Sequence, residues 1–414
     1  MGSRGKKSIK PLSEKCIVDR LSPLPDDILH RILSFLDFLD VARTCVLSKR
    51  WRDVWMSVPC LNFDMNEWDF IKWALLLRDG SEIRRIHITF DEIEQLNWLL
   101  RFAASKKVQE LSFIDGEPCE EELEFPRLLC KTLKSLTVHF KNEITIRVST
   151  AFSSLKSLVL EGVVMSRDAA EKLLSSDCVE LEDVYLEEIF VGDLEIINIS
   201  ARKLKNLTIK NICYCDGFTL ARSFISKLNI CAPNLVSFSY EGPMICGFAF
   251  LDTVSLQHIS IRIPHIPSAC EGLEDETFLP CPTRFIGLNH AKDLTLSSRV
   301  VKYFAPTYFD PLGITFILDN MNYLKLGLRR KVDYIEGLIN LLKLSPNLEA
   351  LAIRFTQVNV SFHSVVKNGT FFFDSHCPLR VFYFRFDSIL GYNWRQREVL
   401  YCLVIFQHFD IQGV

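Results

Sequence analysis

Residues 24–55 read LPDDILHRILSFLDFLDVARTCVLSKRWRDVW, three helix signatures with more apolar side chains than so short a segment can hide within itself. Pro25 suits the first turn of a helix, and Asp26 and Asp27 put negative charge at the positive end of its dipole. Leu24, Ile28, Leu29, Ile32, Leu33 and Leu36 recur at helical spacing and form one apolar stripe. A second short helical run covers Leu39 to Cys45. Ser48 is the expected N-cap of a third, in which Trp51, Val54, Trp55 and Val58 repeat at three- and four-residue steps. Burying one large apolar side chain is worth roughly 1.5–3 kcal/mol, so a helical trio this small needs a partner surface over its stripe.

The segment resembles the F-box. The resemblance is carried by the Leu24-Pro25 opening, Ile32-Leu33-Ser34, Val41-Ala42-Arg43, and Val46-Leu47-Ser48-Lys49-Arg50-Trp51-Arg52 running into Val54-Trp55. It implies docking onto a Skp-family adaptor and, through that, a cullin-based ubiquitin ligase. The residues it assigns to the adaptor are Leu24, Pro25, Ile28, Leu29, Ile32, Leu33, Leu47, Trp51 and Trp55, some of which must also form the domain's own core.

Outward from this segment the chain repeats itself. An L-x-x-L-x-L-like phrase recurs twelve times, beginning at Ile83, Val108, Leu133, Leu155, Leu181, Leu204, Leu235, Leu256, Ala291, Met321, Leu348 and Leu379. Most intervals run from 21 to 31 residues, near the roughly 20–29 of leucine-rich repeats. The longer interval after Leu256 holds Pro264, Pro267, Pro280 and Pro282 and reads as a loop insertion. The last two apolar residues of a phrase, such as Leu136 and Val138, are two apart and point to one side of a strand. One unit cannot cover that side, so stacked neighbours make a continuous core and a parallel sheet. Helices are expected at Phe70–Leu77, Ile93–Ala103, Asp168–Leu174, Ala221–Leu228 and Tyr334–Leu342. Cys130, Cys178, Cys231, Ser345 and Cys377 fall just before a phrase, where a small residue fits the turn.

The phrases lack the Asn of standard repeats, which resembles the degenerate leucine-rich repeats of plant F-box proteins. With LNFD at Leu61–Asp64, the likeness runs over nearly the whole chain. Cys377–Phe386, Gly391 and a helix around Glu398-Val399-Leu400 resemble a partial FBD segment. The expected fold is α/β: a three-helix F-box followed by an irregular leucine-rich-repeat solenoid with a parallel sheet. Its parts are a disordered basic tail at 1–19, the F-box at 20–66, repeats at 67–376, and a last repeat with a partial FBD-like cap at 377–414.

Composition narrows the function. The formal net charge of −3 over 414 residues gives no electrostatic footprint for nucleic acid. No apolar run reaches the roughly 18–20 residues of a membrane span. The 14 cysteines form no CxxC pair, so they read as small buried residues in a reducing compartment, nucleus or cytoplasm. No phosphate cradle, zinc pair or nucleophile elbow appears, so no catalytic residue, metal or cofactor is assigned. Arg262, Lys325, Arg354, Tyr383 and Arg385 fall at outward strand positions and form a basic stripe suited to an acidic or phosphorylated target segment. The expected role is a non-catalytic substrate receptor that holds adaptor and target together. A ligand-sensing receptor whose repeats bind a small molecule, and a repeat scaffold outside any ligase, remain open alternatives.

Overall fold

The structure is a computed structural model, and it describes residues 20–21, 23–63, 68–78, 80–89, 93–114, 122–190, 196–211, 227–242, 245, 247–264, 285–305, 317–328, 334–355 and 381–385. The basic tail, the proline-rich insertion and most of the expected FBD-like cap lie outside these residues. Among the described residues no helix is long and apolar enough to cross a membrane.

The opening stretch folds into α1 (Asp26–Leu33), α2 (Phe38–Arg43), a single 3-10 turn at Thr44–Val46, and α3 (Lys49–Ser57). Pro25 stands one place earlier than expected, at the N-cap, where its carbonyl accepts from the N–H groups of Ile28 and Leu29. Asp37 caps α2 by accepting from Leu39 N at 3.1 Å. Ser48 occupies the N-cap of α3 but makes no side-chain cap bond. Arg50 ties α3 to α1 instead, its Nη2 donating to Leu24 O and to Asp26 Oδ1 at 2.5 Å each.

Trp51, Val54 and Trp55 of α3 close over Leu29 and Leu33 of α1 and Phe38 and Val41 of α2, all buried in one core that continues into the repeats. Phe38 is the joint: its ring meets Trp55 edge-on at 6.1 Å and Phe63 at 4.9 Å. Phe63 belongs to β1 (Cys60–Phe63), which pairs in parallel with β2 (Arg85–Thr89). The LNF residues therefore open the sheet, and a boundary at residue 66 falls after the first strand of the solenoid.

All twelve phrases form strands. After β2 come β3 (Glu110–Ile114), β5 (Ser135–Val148), β6 (Ser157–Met165), β7 (Asp183–Phe190), β9 (Asn206–Lys210), β11 (Ser237–Glu241), β13 (His258–Arg262), β15 (Asp293–Ser297), β16 (Tyr323–Leu328), β17 (Ala350–Phe355) and β18 (Val381–Arg385). They lie side by side in chain order, with β4 (Glu122–Phe125) pairing the far half of β5. Every neighbour from β1 to β17 on this path is parallel; β18 runs antiparallel to β17. The twelfth phrase thus makes the expected strand but does not continue the parallel stack.

From Leu155 to Leu348 the phrases fix their own entry in one way: the N–H of the leading apolar residue donates back three residues, as Leu181 N does to Cys178 O and Leu348 N to Ser345 O, whereas Val108 N reaches back to Ala103 O and Leu133 N to Leu129 O. The carbonyl of the second residue accepts two N–H groups of the following phrase: Gln109 O takes Lys134 and Ser135, and Asn322 O takes Glu349 and Ala350. This backbone ladder does the spacing work without an asparagine. Cys178 and Ser345 fill the buried turn position as expected, Cys130 lies in a helix just before it, and Cys231 ends a strand while Ala232 takes the turn.

Behind the main sheet run α4 (Trp68–Leu76), α5 (Ile93–Ser105), α6 (Arg127–Thr132) and α7 (Arg167–Leu174), and later α8 (Ser298–Lys302) and α9 (Ile335–Lys343). Between them a second parallel sheet replaces the helices: β8 (Ile196–Ser200), β10 (Lys227–Cys231), β12 (Gly247–Leu251) and β14 (Phe285–Ile286), in the order β14-β12-β10-β8. The helix expected at Ala221–Leu228 is corrected at its end, because Lys227 and Leu228 open β10. There Leu228 and Ile230 bury at a period of two between Ile197 and Ile199 on one side and Phe248 and Phe250 on the other. The two sheets meet through aromatic rings, Phe238 edge-on to Phe250 at 5.1 Å and Tyr240 to Phe248 at 5.1 Å. Gly162 (φ +66°), inside β6, and Gly287 (φ +83°), just after β14, take a left-handed backbone, and a Cβ at either would collide with a carbonyl, Phe140 O or Phe250 O.

Candidate functional site

The helical trio divides the residues assigned to the adaptor into two sets. Leu29, Leu33, Trp51 and Trp55 are buried against the chain's own core, so they have no surface to lend, and their assignment to the adaptor is withdrawn. Leu24 is half-buried and Pro25 is exposed. On the outer side Ile28 (45%), Ile32 (42%) and Leu47 (63%) stand in solvent, together with Phe35 and Val46 at 82% each. The exposure of Phe35 and Val46 was not anticipated; its signal was a large apolar residue at a turn position.

The outward side of the main sheet is one open face with aligned rows. His87, Ser112, Thr137, Val159, Tyr185, Thr208, Ser239, Ser260, Thr295, Lys325 and Ala352 stand in direct register across successive strands. Two residues further on, a second row holds Thr89, Ile114, His139, Glu161, Glu187, Lys210, Glu241 and Arg262, and later Ser297, Gly327 and Arg354.

The acidic members of this row are already partnered. Glu161 pairs with His139 at 2.8 Å, and Glu241 accepts from Arg262 Nη1 at 3.2 Å. Glu187 accepts from the Tyr185 hydroxyl, which in turn accepts from Lys210 Nζ at 2.7 Å. Desolvation pushes the Glu161 carboxyl above its ordinary range, with His139 opposing, and desolvation together with the bond to Glu187 pushes the Tyr185 phenol up.

Two clefts open on this face. One of about 480 Å³ lies over β1, β2, β3 and β5, where Arg85 is paired with Glu110 at 2.5 Å and His87 Nδ1 shares a bond of 3.0 Å with Ser112 Oγ. The other, about 530 Å³, lies over β13, β15, β16 and β17 and brings together Arg262, Lys325 and Arg354 with Arg299, which sequence reasoning missed. Tyr383 stays in register with Ala352, beside Lys325 in the first row. Arg385 does not join Arg354. Because β18 is reversed, Arg385 pairs with Ala350 and Val381 with Arg354, which separates the two arginines by four residues along the strand, about 13 Å. The side chains of 381–385 and the basic run at Arg329–Lys331 lie outside the described residues. Among the described residues no group of three or more His, Cys, Asp or Glu is placed to hold a metal ion.

Comparison with known proteins agrees with this geometry. The family model for the F-box domain matches residues 21–63, and that for the LRR repeats of FBD-associated F-box protein At5g56370 matches residues 96–261. Among Arabidopsis thaliana relatives, F-box/LRR-repeat protein At1g55660 is 28% identical over 245 residues, 54% of this chain and 67% of that one. F-box/FBD/LRR-repeat protein At5g56420 is 30% identical over 237 residues, and the match spans 55% of its length. F-box/LRR-repeat protein At3g26922 is 30% identical over 230 residues, covering 51% of this chain and 74% of that relative. The chain belongs to the plant F-box/leucine-rich-repeat family. Its F-box is the helical trio with the exposed apolar rim, and its repeats carry the open face and both clefts.

Proposed function

We propose that this F-box/leucine-rich-repeat chain is the substrate-recognition subunit of a Skp-cullin-F-box ubiquitin ligase, acting in the nucleus or cytoplasm. The F-box docks the Skp-family adaptor, and through it a cullin, while the repeats capture the protein to be ubiquitinated. The chain contributes no catalytic group; it raises the local concentration of target at the ligase by tethering.

The supporting observation is the rim formed by Ile28, Ile32, Phe35, Val46 and Leu47. Ile28, Ile32 and Phe35 follow one another at helical spacing and stand exposed, as do Val46 and Leu47 before α3, on a domain whose Leu29, Leu33, Trp51 and Trp55 side chains are already buried in the core shared with the repeats. An apolar patch of this kind marks a protein contact surface. Placing Ile32→Asp and Leu47→Asp together in the full chain should lower adaptor capture at least about tenfold, since unpaired charge is then driven into the contact. The melting temperature should hold, because both side chains stand in water. Undiminished adaptor capture by that double variant would sink the assignment.

A further inference from the structure

Resting on the target-capturing role proposed above, we infer that the cleft over β13, β15, β16 and β17 binds a phosphate monoester carried on a segment of the target protein. Four cations line this cleft, and among its described lining residues none is acidic. Two are partly engaged: Arg262 donates to Glu241 at 3.2 Å, and Arg299 Nη1 donates to Pro264 O at 3.4 Å. Lys325 and Arg354 have no hydrogen-bond or ion-pair partner among the described residues, and Arg354 Nε is shut away from water without an acceptor. A buried donor without an acceptor is costly and rare, and Arg354 Nε adds uncompensated positive charge at the wall of this cleft.

The register supplies the geometry. Ile261 pairs with Leu296, and Ser297, Gly327 and Arg354 pair in turn, so Arg262, Ser297, Gly327 and Arg354 occupy successive places in one row. At roughly 4.8 Å per strand, the Cα atoms of the two arginines stand about 14 Å apart. Only a hydroxyl and a hydrogen fill the space between them. A Cβ added at Gly327 would touch nothing closer than Leu296 O at 3.9 Å, so that gap is open room and not a packing requirement. Lys325 projects to the same face from two residues earlier on β16.

The chemistry then selects the ligand. Arginine forks and a lysine ammonium offer more donors than the two oxygens of a carboxylate can take. A phosphate monoester presents three acceptor oxygens and roughly −1.5 to −2 charge at pH 7, which matches two unpaired cations. Arg262 and Lys325 at this cleft are exposed, which leaves room for the residues flanking a phosphorylated side chain.

The test uses the full chain, a phosphoserine-oriented peptide library, the same library with serine, and free phosphoserine as competitor. The chain should retain the phosphorylated pool at least about tenfold over the serine pool. Gly327→Leu, which fills the gap, and Lys325→Glu, on an exposed side chain, should each erase that preference. Equal retention of the two pools would overturn the inference, as would a preference that survives Lys325→Glu. Free phosphoserine competing as well as peptide would overturn it too, by assigning the cleft to a small phosphate. Adaptor capture, measured on the same samples, separates the two readings. Capture without phosphate preference fails this inference alone, and preference without capture fails the ligase role alone.

Discussion

Gly337 shows at the scale of one residue how context reverses a propensity. Inside a helix a glycine is worth about 1 kcal/mol less than alanine, so Gly337→Ala in α9 ought to stabilise. Here a Cβ would collide with Val301 O of α8, because the two helices approach backbone to backbone. Gly337→Ala is therefore expected to destabilise by about 1–3 kcal/mol in urea titration; a rise in stability would show that α8 moves freely. Cys178 is buried, and desolvation pushes its thiol up to about 11. An unfolded cysteine titrates near 8.5, so the folded chain holds a proton that the unfolded chain loses between those values. That contribution is complete below about pH 8.5 and is lost as pH rises towards 11. The native chain should resist iodoacetamide at Cys178 at pH 8 and lose stability over that window, a loss that Cys178→Ala should lessen. Single residues were also where the sequence was hardest to read. Ile28 and Ile32 form one i, i+4 pair and Leu29 and Leu33 another, offset by one residue. Periodicity marks both as apolar, and only the fold of α3 over α1 decides that the leucines face inward and the isoleucines outward.

Elements were far more legible. Two apolar residues at i and i+2 after a leading one are a local signal, and all twelve phrases that carry it became strands in their expected order. The outward rows followed as far as Arg354, since alternation along a strand is fixed by the pleat, and failed at Arg385 on the reversed β18. What the sequence concealed depends on contacts between distant segments. The second sheet arises because IINIS, KLNIC and GFAFL pair with one another; LEIINI, ISKLNI and ICGFAF carry the same apolar spacing as the repeat phrases, so the local signal marks strands but not which sheet each one joins. The reversal of β18 depends on chain path and leaves no trace in its alternation. Phe248 gauges how much the second sheet contributes, since its ring lies against Phe238, Tyr240 and Phe285 between the layers. Phe248→Ala should cost about 3–5 kcal/mol, read from the urea midpoint. A loss below about 1 kcal/mol would mean the second sheet is an accessory layer.

Over the whole molecule, the F-box is the first layer of the same core. Trp55 meets Phe38, and Phe38 meets Phe63 of β1, within one buried core that also holds Trp51, so the helices pack against the start of the solenoid. With Trp68, Trp73, Trp98 and Trp394 replaced by Phe, fluorescence of Trp51 and Trp55 and far-ultraviolet circular dichroism should report one coincident thermal transition, while an early, separate fluorescence change would show that the F-box melts by itself. The open face and its basic cleft likewise exist only at this scale, because Arg262, Arg299 and Arg354 come from separate strands and a helix.

A solenoid of strands all pointing one way is self-complementary: the leading edge of one copy suits the trailing edge of another, and nothing in such a contact closes on itself. In this chain β18 faces the opposite way from the strands before it. At the other end the F-box helices lie against β1 through Phe38 and Phe63, so the two ends of the described array are unlike.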